Sequence, residues 1–227
     1  MKIVKGNIFT TKNQTLVNTV NCFGVMGAGL ALEFKNRYPD MFVRYKEMCD
    51  SKLLDIGRLY LYKTHQKWIL NFPTKKHWKY DTKPDYIEKG LRKFIETYKI
   101  KGIESIAFPL LGAQNGGLTK EQSLSLLDKY LSKIDIPCEV YEYDSTAPDD
   151  LFKDFKLAFL THSEETLKKL THLKSDKIQK IKNIIETEEL VSMGQLISVD
   201  GLGESTIEKC FSYAMRTDPI NIQLNLF

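Results

Sequence analysis

The most restrictive feature of this sequence is an alternation of short apolar runs and helical patterns over its first 145 residues. Five runs have the β-branched or apolar character of strands, at 15–18, 58–62, 67–71, 105–108 and 138–143. Helical patterns separate them, at 29–38, 41–49, 85–98 and 119–131. This alternation predicts an α/β domain with a central mixed sheet between helices.

The alternation stops after a turn-rich stretch at 144–150. Further helical patterns follow at 163–173, 176–189, 191–197 and 204–215, and no strand pattern recurs. We therefore predict an α/β domain over 1–147, a small all-α unit over 148–217 and a tail over 218–227. The sequence alone reveals no internal repeat.

Composition excludes several classes of protein. The chain is 42% hydrophobic and 27% charged, which is a globular rather than a disordered balance. No apolar run approaches the roughly 20 residues of a membrane span, and the first residues lack the apolar core of a secretory signal. We therefore expect a cytoplasmic protein without membrane attachment. The 4 cysteines and 4 histidines form no metal-ligand spacing, so neither a metal nor another cofactor is expected.

The positive charge lies in the first domain. Residues 1–150 carry 23 basic and 18 acidic side chains, and residues 63–93 alone carry nine Lys or Arg against three Asp or Glu. Such a block, if it lies on one face, favours a polyanion or a phosphate-bearing ligand. A solvated helix face beside a lysine-rich loop is the alternative, and charge alone favours that alternative.

Two glycine-containing loops each lie between a predicted strand and a predicted helix. In the first, Gly27, Ala28 and Gly29 open a helix, so backbone N–H groups and the positive end of the helix dipole face a ligand above the strand. The second spans 109–119. Two such loops suit a diphosphate held from both sides. Each loop alone is a weak signal, because glycine also favours tight turns, and neither matches a Walker or a Rossmann motif.

Four ordered segments resemble a macrodomain: 6–8 (GNI), 17–29 (VNTVN followed by GVMGAG), 71–78 (NFPTKKHW) and 109–118 (PLLGAQNGGL). Among macrodomains, the sequence is most similar to DNA ADP-ribosyl glycohydrolases, antitoxins that reverse the ADP-ribosylation of thymidine by a partner toxin. The resemblance covers about residues 1–145. It implies a macrodomain fold and an ADP-ribose site.

The resemblance also implies a role for individual residues. Asn7 and Ile8 hold the adenine end, the two glycine loops bind the diphosphate and distal ribose, and Asn21 lies beside the distal ribose. Lys75, which follows Phe-Pro-Thr, falls where the family has its catalytic lysine. The whole implied ADP-ribose set is Asn7, Ile8, Asn18, Thr19, Asn21, Gly27, Ala28, Gly29, Leu30, Thr74, Gly112, Ala113, Gln114, Asn115 and Gly116.

Elementary chemistry also supports a lysine catalyst. An ADP-ribose N-glycoside breaks through an oxocarbenium-like state, so the catalyst needs a nucleophile or a stabiliser at the anomeric carbon. An unprotonated amine forms a covalent adduct there, and Lys76 and Lys79 are candidate neighbouring cations that favour the unprotonated form. The alternative for Lys75 is a phosphate contact or a solvent-exposed lysine.

Departures from the motifs of related macrodomain subfamilies narrow the choice of subfamily and substrate. The chain lacks the Asp and His that follow four glycines in the commonest hydrolytic macrodomains. It has Gly116 where the animal terminal ADP-ribose glycohydrolase has an aspartate, which disfavours cleavage from protein glutamate by that route. It also has Gly112, Ala113 and Gln114 where the DNA glycohydrolases usually have Gly-Cys-Gly, which leaves the detail of this loop and the substrate open.

Basic and aromatic residues alternate immediately after Lys75. Lys76, His77, Trp78 and Lys79 are candidate DNA contacts, because lysines hold a phosphate backbone while an indole stacks on an unpaired base. A modified thymidine is reached in single-stranded or extruded form, where stacking helps. The alternative is that Trp78 packs beneath the loop.

The sequence therefore predicts an ADP-ribosyl glycohydrolase that acts on single-stranded nucleic acid, with thymidine in DNA as its target and an ADP-ribosyltransferase toxin as its partner. Two alternatives stay open, a hydrolase of ADP-ribosylated protein and a non-catalytic ADP-ribose reader.

Two features lie outside the α/β domain. Residues 196–207 resemble a helix-hairpin-helix, whose Gly-x-Gly turn offers N–H groups to a DNA phosphate, although Glu204 replaces a helpful basic residue. Packing or partner recognition is the alternative. The tail resembles a sliding-clamp-binding peptide, with Gln223, Leu224, Leu226 and Phe227 as its contacts, and packing on its own domain is the alternative.

Overall fold

A six-stranded mixed sheet organises the first of two units. The computed structural model of the protein describes residues 1–216, with one unit over Met1–Ser145 and a second that begins at Thr146. The strands of the sheet are β1 (Lys2–Gly6), β2 (Thr15–Asn21), β3 (Tyr60–Lys63), β4 (Trp68–Lys75), β5 (Ile106–Pro109) and β6 (Cys138–Tyr143). Their spatial order is β1-β6-β5-β2-β4-β3.

All neighbouring strands are parallel except β3 and β4, which are antiparallel. Five strands therefore end at one edge of the sheet, at Gly6, Asn21, Lys75, Pro109 and Tyr143. In open α/β sheets a ligand binds beyond the carboxyl ends of the strands. The chain that follows these five ends is where a site is expected.

Helices cover both faces of the sheet, as the sequence predicts. They are α1 (Gly29–Arg37), α2 (Pro39–Asp50), α3 (Pro84–Lys101) and α4 (Lys120–Leu131). Successive residues of β2 point to opposite faces. Val17 packs in the core that α3 and α4 cover, whereas Leu16 and Val20 pack in the core that α1 and α2 cover. The mixed sheet between helices is confirmed.

The sequence analysis misses one strand and ends two others too early. The sequence gives no apolar run at β1 because β1 is an edge strand whose residues are mostly exposed, including Ile3. The strands predicted at 15–18 and 67–71 end too early, because β2 continues to Asn21 and β4 continues through Pro73 to Lys75. Proline is tolerated there because β3 pairs with β4 only as far as Asn71.

The second unit is helical over its described residues. Its helices are α5 (Phe152–Thr161), α6 (Glu164–Thr171), α7 (Ser175–Thr187), α8 (Met193–Ile197) and α9 (Glu204–Arg216). It has its own core, in which Phe155, Phe159, Ile181 and Phe211 are fully buried. The sequence patterns miss α5, which begins immediately after the turn-rich stretch.

Two similar helical hairpins, α6–α7 and α8–α9, form most of the second unit. His172 lies in the turn of the first hairpin and Gly201 in the turn of the second, and both have a positive φ, 54° and 78°. The interval between these two residues equals the interval between Lys180 and Lys209, which lie in α7 and α9. Each is followed by a buried leucine, Leu173 and Leu202. The sequence analysis detects no repeat, and the structure corrects this: the hairpin occurs twice.

The two hairpins also make reciprocal contacts through equivalent lysines. Lys209 Nζ donates to the carbonyl of His172 at 2.9 Å. The equivalent Lys180 has its Nζ beside Gly201, in the other hairpin turn. The repeat is hidden in the sequence because few residues are identical, while the buried leucine and the positive φ of the turn recur.

Within residues 1–216, no helix is both long and apolar enough to cross a membrane, and no group of three His, Cys, Asp or Glu side chains is arranged to hold a metal ion. The predicted clamp-binding residues Gln223, Leu224, Leu226 and Phe227 lie outside the described part of the chain.

Candidate active site

Asn21, the last residue of β2, shapes the first glycine loop. Its side-chain amide donates to the carbonyl of Val25 at 2.6 Å, and its Oδ1 accepts from the N–H groups of Phe23 and Val25 at 3.0 and 3.3 Å. The Tyr45 hydroxyl donates to the Asn21 carbonyl at 2.7 Å. Asn21 therefore folds the loop back on itself, and its proposed contact with the distal ribose stays a prediction.

The backbone of the first glycine loop is exposed where the loop leads into α1. Gly27, Ala28 and Gly29 are exposed, and no side chain caps the first turn of α1. Backbone N–H groups at an uncapped helix start are free to donate to an anion. This arrangement is what the sequence predicts for a diphosphate loop.

Asn18 lies beneath this loop rather than at its surface. It is fully buried, and its Nδ2 donates to Asn71 Oδ1 at 2.9 Å and lies 3.8 Å from the sulfur of Met26. Asn18 therefore joins two neighbouring strands and supports the loop from within the sheet. Thr19, the next residue, is half-buried at the same end of β2.

The second glycine loop is held by close packing that requires glycine. Gly112 has a φ of 73°, and a Cβ there would lie 2.9 Å from side-chain carbons of Thr82 and Ile87. The loop closes through a hydrogen bond from Leu118 N to the Gly112 carbonyl at 3.0 Å. Thr82 N donates to the Gly116 carbonyl at 2.8 Å. Ala113 is half-buried, while Gln114 and Asn115 are exposed.

The two loops and Lys75 meet at one place. Asn115 of the second loop has its side-chain nitrogen 3.1 Å from the position that a Cβ on Gly29 would occupy. Lys75 Nζ donates to the backbone carbonyl of Asn115. The Lys75 carbonyl in turn accepts from Cys22 N at 2.9 Å, at the start of the first loop. The half-buried Lys75 side chain thus bridges from the end of β4 to the second loop.

Lys76 is neutralised by a partner that the sequence analysis missed. Its ammonium pairs with the carboxylate of Asp55, which raises the pKa of Lys76. Burial, followed by the negative charge of Asp55 and a hydrogen bond to it, raises the pKa of the Cys22 thiol to about 12. The role of Lys76 as a cation that favours an unprotonated Lys75 is therefore weakened, because Asp55 offsets its charge.

The basic block at 63–93 does not lie on one face. Lys67 Nζ donates to the Thr11 and Asn13 carbonyls at 2.9 and 2.6 Å. Lys67 immediately precedes β4, so it lies at the edge of the sheet opposite the one where Lys75 ends that strand. Lys89 pairs with Asp85 on α3. Only the lysines between β4 and α3 are close to Lys75 along the chain, so the charge available at the site is smaller than the sequence count.

The remaining predicted contacts lie at the expected edge, and three of the four are buried. Asn7 and Ile8 are 4% and 5% exposed, and the Asn7 side chain accepts from Phe9 N at 3.1 Å to begin a short 3-10 helix. Thr74 is buried and its hydroxyl donates to the Val20 carbonyl at 3.4 Å. Leu30 is half-buried in α1. A direct contact of Asn7 or Thr74 with a ligand stays a prediction.

Aromatic side chains surround the segment after Lys75. Trp78 is 47% exposed, so the alternative that it packs beneath the loop is wrong. Phe23 and Tyr80 are also exposed, and the ring of each lies against His77. Tyr80 ends the basic and aromatic run that follows Lys75, whereas the only sequence signal for Phe23 is that it precedes a glycine in the first loop.

Comparison with known proteins identifies the family. The Macro domain family model matches residues 17–127. The solved macrodomain of Mycobacterium tuberculosis DarG is 40% identical, with a TM-score of 0.60, and the match covers 62% of this chain and 95% of that one. This chain belongs to the macrodomain family.

Two further matches describe relatives of this macrodomain protein. A DNA ADP-ribosyl transferase–DNA ADP-ribosyl glycohydrolase fusion protein from Thermosipho africanus is 39% identical over 160 residues, which are 62% of this chain and 41% of the relative. A structure described as Thermosipho africanus DarTG in complex with ADP-ribose matches with 39% identity and a TM-score of 0.59, over 63% of this chain and 42% of that one. The match covers less than half the length of the curated relatives that are named as DNA ADP-ribosyl glycohydrolases.

Proposed function

We propose that this macrodomain removes ADP-ribose from a nucleic-acid base, thymidine in DNA, with Lys75 as the catalytic residue. The observation that carries the proposal is the position of Lys75 Nζ on the Asn115 carbonyl, where the second glycine loop approaches Gly29 of the first. An ADP-ribose whose diphosphate lies between these loops has its distal ribose beside the lysine.

The relatives support the activity. The Thermosipho africanus relative is named as a DNA ADP-ribosyl glycohydrolase fused to a DNA ADP-ribosyl transferase, and its structure is described as an ADP-ribose complex. The Macro domain match over residues 17–127 contains both glycine loops and Lys75 of this chain. We infer the same ligand here, and a DNA ADP-ribosyl transferase as the enzyme whose product this macrodomain removes.

The proposed chemical step uses the amine of Lys75 as a nucleophile. The free amine of Lys75 attacks the anomeric carbon, the bond from that carbon to the base nitrogen breaks, and the base leaves with the electron pair and takes up a proton. Water then attacks the same carbon, the bond from that carbon to Lys75 Nζ breaks, and the nitrogen takes up the proton that the water loses, which releases ADP-ribose and restores the amine. Backbone N–H groups of the first loop hold the diphosphate and fix the ribose against Lys75.

The decisive experiment is hydrolysis of ADP-ribosylated single-stranded DNA by the wild type, Lys75→Ala and Lys75→Arg. We expect the wild type to release ADP-ribose and both variants to lose at least about 100-fold in kcat, because arginine keeps the charge without a usable amine. Lys12→Ala is the matched control, since the exposed Lys12 precedes β2, at the opposite edge of the sheet.

The alternatives give different outcomes. Release from an ADP-ribosylated protein but not from DNA would show a protein hydrolase. Tight binding of ADP-ribose without turnover of either substrate would show a reader. Equal release by the wild type and Lys75→Ala would remove the lysine from the mechanism while leaving the ligand assignment intact.

A further inference from the structure

An aromatic patch borders the candidate active site, formed by Phe23, His77, Trp78 and Tyr80. Among the described residues, the large aromatic side chains with the greatest exposure are Phe23 at 54%, Trp78 at 47%, Tyr80 at 69% and Tyr143 at 52%. Three of these four belong to the patch. Leaving three large rings in water is unfavourable, so a concentration of this kind marks a binding surface.

The half-buried ring of His77 holds the patch together. Its centroid lies 4.3 Å from that of Phe23, 5.6 Å from that of Trp78 and 5.4 Å from that of Tyr80. His77 Nδ1 accepts from Lys79 N at 3.2 Å, which fixes the turn that carries Trp78. The imidazole and indole are nearly parallel, at 24°, whereas the rings of Phe23 and Tyr80 are tilted to the imidazole by 53° and 46°.

The patch joins the two segments that meet at Lys75. Phe23 belongs to the first glycine loop, whereas the other three rings follow Lys75 directly along the chain. His77 and Trp78 are two and three residues beyond Lys75, which is at most roughly 7 to 11 Å of chain. A group bound on these rings is therefore an immediate neighbour of a group that reacts at Lys75.

The charge beside the rings is positive. Lys79 Nζ lies 5.1 Å from the centroid of the Trp78 ring. Lys76 is paired with Asp55, so Lys79 is the lysine of this turn whose ammonium accompanies an exposed ring. Flat aromatic faces beside a lysine are how proteins hold unpaired nucleotides, with bases stacked on the rings and the backbone phosphate at the cation.

We propose that the aromatic patch stacks the unpaired nucleobase next to the modified nucleotide, and that Lys79 binds the phosphate between the two. This inference rests on the proposed function and assigns Phe23, Trp78 and Tyr80 as residues that make the site selective for a nucleotide within a strand over an isolated nucleoside. His77 is a positioning residue that keeps the three rings in place.

The first test measures binding and needs no turnover. Fluorescence anisotropy gives the affinity of a fluorescently labelled, unmodified single-stranded oligothymidylate for the wild type, Phe23→Ala and Trp78→Ala. We expect each substitution to weaken binding by about 10-fold, and Trp78→Phe to restore most of the affinity because it keeps a stacking face. Ile100→Ala is the control, since Ile100 is 84% exposed at the end of α3 and carries no ring.

The second test compares substrates. We expect Trp78→Ala to lower kcat/KM for an ADP-ribosylated oligonucleotide by about 10-fold relative to ADP-ribosylated thymidine without neighbours, mainly through KM. The Ile100→Ala ratio stays at the wild-type value. If the Trp78 ring has only a structural role, Trp78→Ala lowers kcat/KM equally for both substrates, and this outcome overturns the proposal.

The two tests separate the patch from the reaction. If the wild type hydrolyses neither substrate, the proposed function fails, and the oligothymidylate binding alone decides the patch. Unchanged oligothymidylate affinity in both alanine variants overturns the proposed stacking role of the patch, whatever the hydrolytic activity of the variants. A loss of binding to an ADP-ribosylated peptide, with oligothymidylate affinity unchanged, assigns the rings to a protein substrate and overturns the proposal.

Discussion

Asp55 controls two side chains beside the glycine loop. Its carboxylate holds the Lys76 ammonium and also accepts a hydrogen bond from the Cys22 thiol. A thiol so placed loses its proton only with difficulty, because the thiolate would be partly buried and next to a negative charge. Cys22 is therefore an inert neighbour of the site rather than a second nucleophile.

We predict that iodoacetamide alkylates Cys22 very slowly in the folded protein. With a pKa of about 12, the thiolate is a minor species at pH 8, and the labelling rate rises only as pH approaches that value. Asp55→Asn removes the negative charge, lowers the pKa of Cys22 and speeds labelling several-fold. Mass spectrometry of Cys22 between pH 7 and 10 measures this, with Asp50→Asn as the control. Equal rates in the wild type and Asp55→Asn would contradict the role of Asp55.

Burial on both sides explains which elements the sequence predicts. The interior strands β2, β4, β5 and β6 lie between two layers of helices, so their residues form apolar runs that are visible without a structure. The two edge strands differ: β1 is mostly exposed, has no such run and is missed, whereas β3 is predicted because Tyr60, Leu61 and Tyr62 are half-buried apolar residues. Lys75 is predictable because its motif is local, whereas Asp55 and Phe23 reach the site only through tertiary contacts that no local pattern contains.

Helix α3 packs closely on the sheet at Gly90. A Cβ added to Gly90 would overlap the ring of Phe72 in β4, and both residues are buried. We predict that Gly90→Ala destabilises the protein by about 1 to 3 kcal/mol, although alanine is the better helix former. Chemical denaturation measures the loss. Adding Phe72→Leu recovers part of it by making room for the methyl group, and Lys93→Ala on the exposed side of α3 is the control.

The repeated hairpin allows a matched pair of substitutions. His172 and Gly201 occupy equivalent turns with positive φ, a conformation that costs a residue with a Cβ about 1 to 2 kcal/mol. Because His172 is exposed, we predict that His172→Gly stabilises the second unit by about 1 kcal/mol. Gly201→Ala destabilises it by a similar amount. Thermal unfolding checks both signs, and two shifts of the same sign would contradict the equivalence of the turns.

At the scale of the whole molecule, the candidate site and the helical unit belong to separate cores. Lys75, both glycine loops and the aromatic patch lie within Met1–Ser145, whose two clusters of buried residues flank the sheet. The buried cluster of the second unit contains only residues from Phe152 onwards. A unit with its own core folds without its neighbour.

We therefore predict that a chain ending at Ser145 folds and keeps the hydrolysis of ADP-ribosylated single-stranded DNA at the full-length rate. The Mycobacterium tuberculosis DarG macrodomain supports this, since the match with this chain covers 95% of it. Circular dichroism tests folding, and release of ADP-ribose tests activity. Lys75→Ala in the same short chain is the control. A folded but inactive short chain would place a necessary contact in the helical unit, whereas equal rates leave that unit free for a task other than catalysis.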